Sequence, residues 1–103
     1  MKLHTYINEI LDIAKAEHMS MDVAVNMFLA NVKNAGDSSL PHYKGADHVD
    51  YAALKPHVKE LEESWPAFRE TFEKYQKEII ALRREGRYDE VTALMEAAGE
   101  AGT

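Results

Sequence analysis

Apolar residues in the first third of the chain recur at three- and four-residue steps. Leu3, Tyr6, Ile7, Ile10, Leu11 and Ala14 share one face, and Thr5 stands where an N-cap would, so the spacing predicts a helix over 5–18. A second stripe, Met21, Ala24, Val25, Phe28, Leu29 and Val32, follows Ser20, with Asp22 in its first turn to complement the helix dipole. It predicts a helix over 20–34, closed by Gly36. The link Glu17-His18-Met19 is short enough to force the two helices into a hairpin. Residues 35–49 mix Gly, Pro, Asp and Ser without apolar period, which reads as an exposed and mobile loop.

Beyond the loop, Asp50 is placed to cap a short helix through Leu54, and Pro56 suits the first turn of a segment carrying Val58 and Leu61. Ser64 and Pro66 mark a fresh start. From there Trp65, Phe68, Phe72, Tyr75, Ile79 and Leu82 form a heptad-like seam that predicts a long helix over 64–85. The opposite face carries Glu70 to Lys74 and Glu73 to Lys77 in the favourable order. Gly86 ends that helix, and Asp89 is placed to cap a last one with Val91, Leu94 and Met95 inside, while Gly99 and Gly102 let the tail fray. The expectation is a single all-α domain over 1–103, a compact bundle of four to five helices. It divides into a helical hairpin at 5–34, a loop at 35–49 and C-terminal helices at 50–98. The expected core is Ile7, Ile10, Leu11, Val25, Phe28, Leu29, Phe68, Phe72, Ile79 and Leu82.

Composition narrows the chemistry. The chain has 103 residues, 46% hydrophobic and 29% charged, enough for one modest core. The absence of cysteine excludes disulfides, thiol catalysis, iron–sulfur clusters and thiolate zinc sites. No apolar run reaches the roughly 18 residues of a membrane span, and the first residues lack the apolar core of a secretory signal, so the cytoplasm is expected. Twelve basic against eighteen acidic residues give a net charge of −6, which disfavours nucleic acid and anionic membranes as partners.

Of five histidines, His42 and His48 crowd into the loop with Asp47 and Asp50. No His-x-x-x-His or Glu-x-x-His spacing places two ligands on one helix face, so no metal or other cofactor is expected. Glu60, Glu62 and Glu63 read as a solvated face. No nucleophile elbow, phosphate loop or dinucleotide fingerprint occurs, so no catalytic residue is assigned and the chain reads as a non-enzyme.

The informative excess is apolar. Met19, Met21 and Met27 make the hairpin rich in adaptable side chains, and Val23, Met27 and Ala30 form a second apolar face on the second helix. Trp65 is a rigid aromatic suited to anchoring a partner. Met21, Val23, Met27 and Trp65 are therefore the expected partner-binding residues. The expected function is binding of another protein, or of a second copy of the chain, as an adaptor, inhibitor or assembly partner.

Two local resemblances accompany this reading. The turn Glu85-Gly86-Arg87-Tyr88-Asp89-Glu90 resembles those of tetratricopeptide and related helical-hairpin arrays, without a 34-residue repeat elsewhere. The segment 1–32, with a short alternating start, a helix ending Ile13-Ala14-Lys15-Ala16-Glu17, a tight turn and Ser20 before a second amphipathic helix, resembles a ribbon-helix-helix repressor or antitoxin. That resemblance implies a dimer paired through N-terminal strands, with Lys2, His4 and Tyr6 entering the major groove of DNA. A further alternative is an acidic decoy that inhibits a nucleic-acid-binding protein.

Overall fold

The computed structural model describes residues 2–37, 39–40 and 42–101. A 3₁₀ turn, Leu3–Tyr6, leads into α1 (Ile7–Ala16), followed by α2 (Met21–Lys33). After the irregular segment come α3 (Tyr51–Leu54), a 3₁₀ turn at Lys55–His57, α4 (Val58–Glu63), α5 (Trp65–Arg84) and α6 (Tyr88–Ala101). The protein is all-helical, and no strand occurs among the described residues. The tail expected to fray from Gly99 instead stays helical through Ala101, with Gly99 buried, and Gly102 lies outside the described residues.

Several local rules act as the sequence implies. Ser20 Oγ accepts from the Val23 amide at 3.5 Å to start α2, and Asp50 Oδ1 accepts from the Ala53 amide at 3.3 Å to start α3. The C-terminus of α1 closes with the Met19 amide on the Ala14 carbonyl at 2.9 Å, His18 taking a positive φ of 55°. The α5 terminus repeats the pattern, with the Arg87 amide on the Leu82 carbonyl at 2.9 Å. Two caps are placed differently. Thr5 caps nothing, because helical structure already begins at Leu3, and Asp89 lies within the first turn of α6, which begins one residue earlier at Tyr88.

That early start also removes the N-terminal ribbon implied by the repressor resemblance. Leu3–Tyr6 is helical, and Leu3 and His4 are buried instead of facing outward on a strand. The Leu3 amide donates to Ser64 Oγ at 2.9 Å, and Ser64 Oγ donates to the Leu61 carbonyl at 2.7 Å. Ser64 sits at the break between α4 and α5, where Pro66 has no amide to continue the ladder. α1 packs against α2 and α6, while α5 runs along α6 and α3 and α4 cover α2. The shared core includes Ile7, Ile10, Ile13, Val25, Phe28, Leu61, Phe68, Ile79, Val91 and Met95. Leu11 and Leu82, expected inside, are half-buried at its margin.

The segment 35–49 is only partly the exposed loop its composition suggests. Asn31, fully buried in α2, donates from Nδ2 to the Tyr43 carbonyl at 3.0 Å and accepts from the Tyr43 amide at 2.8 Å. Tyr51 stacks edge-on against Phe28 and donates its hydroxyl to the Ala46 carbonyl at 2.8 Å. Gly45, at φ +118°, lies so close to α1 that a Cβ there would come within 2.5 Å of the Asp12 carbonyl oxygen. A backbone with no ladder of its own is thus held by side chains.

Replacing Asn31 with Ala removes both hydrogen bonds and leaves two backbone groups of Tyr43 without partners, a loss of about 1–3 kcal/mol. Hydrogen exchange should then accelerate over 42–49 well before it changes in α5 or α6. Equal acceleration everywhere would assign Asn31 to the global core instead.

Candidate functional site

The candidate site is a groove of about 620 Å³ between α1 and α5. Leu11, Ala14 and Lys15 of α1 form one wall. Met19, Ser20 and Met21 close it at the hairpin turn, and Phe72, Gln76, Ile80, Arg83 and Arg84 of α5 form the other wall, with Tyr88 at the start of α6. The α5 contribution follows from helix geometry. Phe72, Gln76, Ile80 and Arg84 are spaced by four, a row that drifts off the core seam at each turn. Phe72 belongs to both, as core and as groove floor.

The groove's inner end is fixed by polar contacts across three helices. Arg83 Nη2 donates to Asp12 Oδ1 at 2.7 Å, and Nη1 donates to Asn8 Oδ1 at 3.0 Å. The same guanidinium lies over the Tyr88 ring, 5.2 Å from its centre. Asn8 Nδ2 in turn donates to the Tyr88 carbonyl at 2.8 Å and to Thr92 Oγ1 at 3.1 Å. With the Arg83 side chain mostly shielded from water, the pair with Asp12 is stronger than an ordinary surface bridge.

Met19 (48% exposed), Ile80 (41%) and Tyr88 (48%) are large apolar side chains left open to solvent along this one groove. The four residues singled out from the sequence are not brought together. Met21 lines the groove. Val23 is exposed elsewhere on α2, and Met27 is half-buried against the core. Trp65 borders a separate depression with Leu29 and Ala30 of α2, bridged by Lys33 and Glu62 at 2.8 Å. Ile80 and Tyr88 escape the sequence reading because Ile80 shares its helix face with Gln76, Lys77, Arg83 and Arg84, and Tyr88 stands between Arg87 and Asp89. The available signal was an isoleucine directly beside the seam residue Ile79 on an otherwise polar face.

The histidine-rich segment does not assemble a centre. His42 is exposed, and His48 Nε2 lies 3.6 Å from Glu9 Oε1. Among the described residues no three His, Asp or Glu side chains form a group that could hold a metal ion. Glu60, Glu62 and Glu63 are exposed. No helix among the described residues is long and apolar enough to cross a membrane.

The histidine the structure makes unusual is His4. It is 1% exposed, edge-on to Phe68, and neither ring nitrogen has a hydrogen-bond partner among the described residues. Burial, reinforced by Lys2 and opposed by Glu96, holds its pKa below the ordinary histidine value. The ring is shut against α6 at Gly99, where a Cβ would come within 2.8 Å of His4 Cδ2. This closure serves the packing of the N-terminal turn on α6.

Comparison with protein-family models, with curated proteins and with solved structures finds no match to this chain.

Two outcomes follow from the His4 corner. In an ordinary helix Gly→Ala stabilises by roughly 0.5–1 kcal/mol, but Gly99→Ala should destabilise by about 1–3 kcal/mol, as overpacking does. Adding His4→Ala should restore the ordinary sign in urea unfolding. Independently, the unfolded chain protonates His4 near its ordinary value while the folded protein resists protonation. His4 therefore supports stability fully above about pH 6.5, and that support is lost as pH falls toward the lowered folded value. The melting temperature should drop between pH 7.5 and 5.5 by more in the wild type than in His4→Leu; equal drops would show that His4 is not the titrating group.

Proposed function

We propose that this chain is a non-enzymatic module that binds another protein, as an adaptor, inhibitor or assembly partner, and that the groove between α1 and α5 is its contact surface. The observation carrying this reading is the convergence of Met19 in the hairpin turn, Ile80 on α5 and Tyr88 on α6, all exposed, onto one groove also lined by Leu11, Met21 and Phe72. Exposed apolar side chains scattered singly are normal. Several gathered in one concave surface, rimmed by polar groups, match the anatomy of an interface. The methionines add side chains that repack around a partner at little strain.

Trp65, expected from the sequence as an anchor, lies at a different depression and is half-buried against the core, so the groove is the stronger candidate. Met27 shares that packing role.

Ile80→Glu places a charge on the groove without disturbing the buried seam. It should leave helical circular dichroism intact and shift unfolding free energy by no more than about 0.5 kcal/mol, the usual range for a surface change. Capture of a specific partner from the native host should fall at least tenfold (about 1.4 kcal/mol), while Lys59→Glu, at an exposed position of α4, should capture as the wild type does. Undiminished capture by Ile80→Glu would remove the groove from the interface.

A further inference from the structure

The groove's charge is the reverse of the chain's. The protein carries −6 overall, yet the charged residues lining the groove are Lys15, Arg83 and Arg84, with no carboxylate among them. Arg83 is committed to Asp12 at 2.7 Å. Lys15 and Arg84 are exposed on opposite walls and form no ion pair among the described residues. Two uncompensated cations thus flank an apolar floor in an otherwise acidic molecule.

We propose that the groove takes an acidic amphipathic helix from another protein, its apolar stripe laid on Met19, Ile80 and Tyr88 and its carboxylates set against Lys15 and Arg84. The proposal rests on the groove being the contact surface and adds the chemistry of its occupant. From Phe72 to Arg84 the α5 wall spans roughly 18 Å at the rise of an α-helix, room for about three turns of a partner helix. The protein's net charge opposes an acidic partner elsewhere on its surface, so local attraction at the groove selects both site and register. A basic helix would meet like charge at both walls. A second copy is a poor occupant for the same reason, since a symmetric groove-to-groove pairing sets Lys15 and Arg84 of one copy near those of the other.

The test uses the full chain, labelled with ¹⁵N, and two 14-residue synthetic peptides. Each carries leucines at i, i+3, i+4 and i+7; one has glutamates flanking that stripe and the other has lysines. The glutamate peptide should shift the amides of Lys15, Met19, Ile80 and Arg84 and bind about tenfold more tightly than the lysine peptide at low salt, the preference shrinking as salt rises. Lys15→Glu combined with Arg84→Glu should reverse the preference, and Lys15→Gln with Arg84→Gln should abolish it while both peptides still bind.

Equal affinity for the two peptides, or a preference that survives the double charge reversal, overturns the acidic occupant while leaving the groove as a contact surface. The acidic occupant is likewise overturned if host-partner capture depends on Ile80 but neither peptide perturbs the groove. A dimer in light scattering that Ile80→Glu dissolves would make a second copy the occupant instead. Capture that ignores Ile80 altogether is the separate result that removes the contact surface itself.

Discussion

A buried amide at the start of a helical turn has no acceptor within its own helix, and leaving it unpaired costs about 1–3 kcal/mol. The Leu3 amide meets this constraint through Ser64 Oγ, and much of the architecture depends on that contact. It is available because the helical run breaks between α4 and α5, where Pro66 cannot donate and Ser64 is buried at the junction. With Leu3 fixed there, Ile7 and Ile10 enter the core from α1, and His4 is laid against Phe68. The imidazole then dictates how α6 approaches, since only a residue without a side chain fits at Gly99. One hydroxyl thus sets the N-terminal turn, and through it the meeting of α1, α5 and α6.

What was legible in the sequence is what each helix decides locally. The apolar stripes of α1, α2 and α5 bury one face each, and Ser20 and Asp50 act through amides three residues away. What was not legible depends on partners far along the chain. Thr5 has the right chemistry for a cap, but tertiary packing starts the helix at Leu3. His4 reads as a polar residue near a terminus, and its burial is understood only with Gly99 in place. Asn31 lies in an apolar helix, and nothing nearby reveals that its amide will hold Tyr43.

The candidate site shows the same division. Met21 was legible because it begins the α2 stripe, and the methionine-rich turn lies at the end of the hairpin that the groove borders. Ile80 and Tyr88 were not, because the groove arises from the gap left where α1 and α5 both lean on α6. Such a gap belongs to neither helix alone. The position of Trp65 is the converse case: a residue type common at interfaces that packs against the core beside Leu29. Residue type indicates what a side chain is able to do, and the neighbouring elements decide whether it is free to do it.

The Arg83 contacts bear on how fast and how long a partner would stay bound. Held by Asp12 and Asn8 and lying over Tyr88, this side chain has already lost the rotamer freedom that association normally removes, a saving of about 0.5–1.5 kcal/mol for a long flexible group. If the groove is the contact surface proposed above, this preorganised end would favour slow dissociation. Lys15 and Arg84, solvated and unconstrained, act on the encounter, where their influence is felt across a Debye length of about 8–10 Å and fades with ionic strength. On that proposal, residence time would fall to Arg83 and arrival rate to Lys15 and Arg84, so that two arginines adjacent in the sequence would serve different steps.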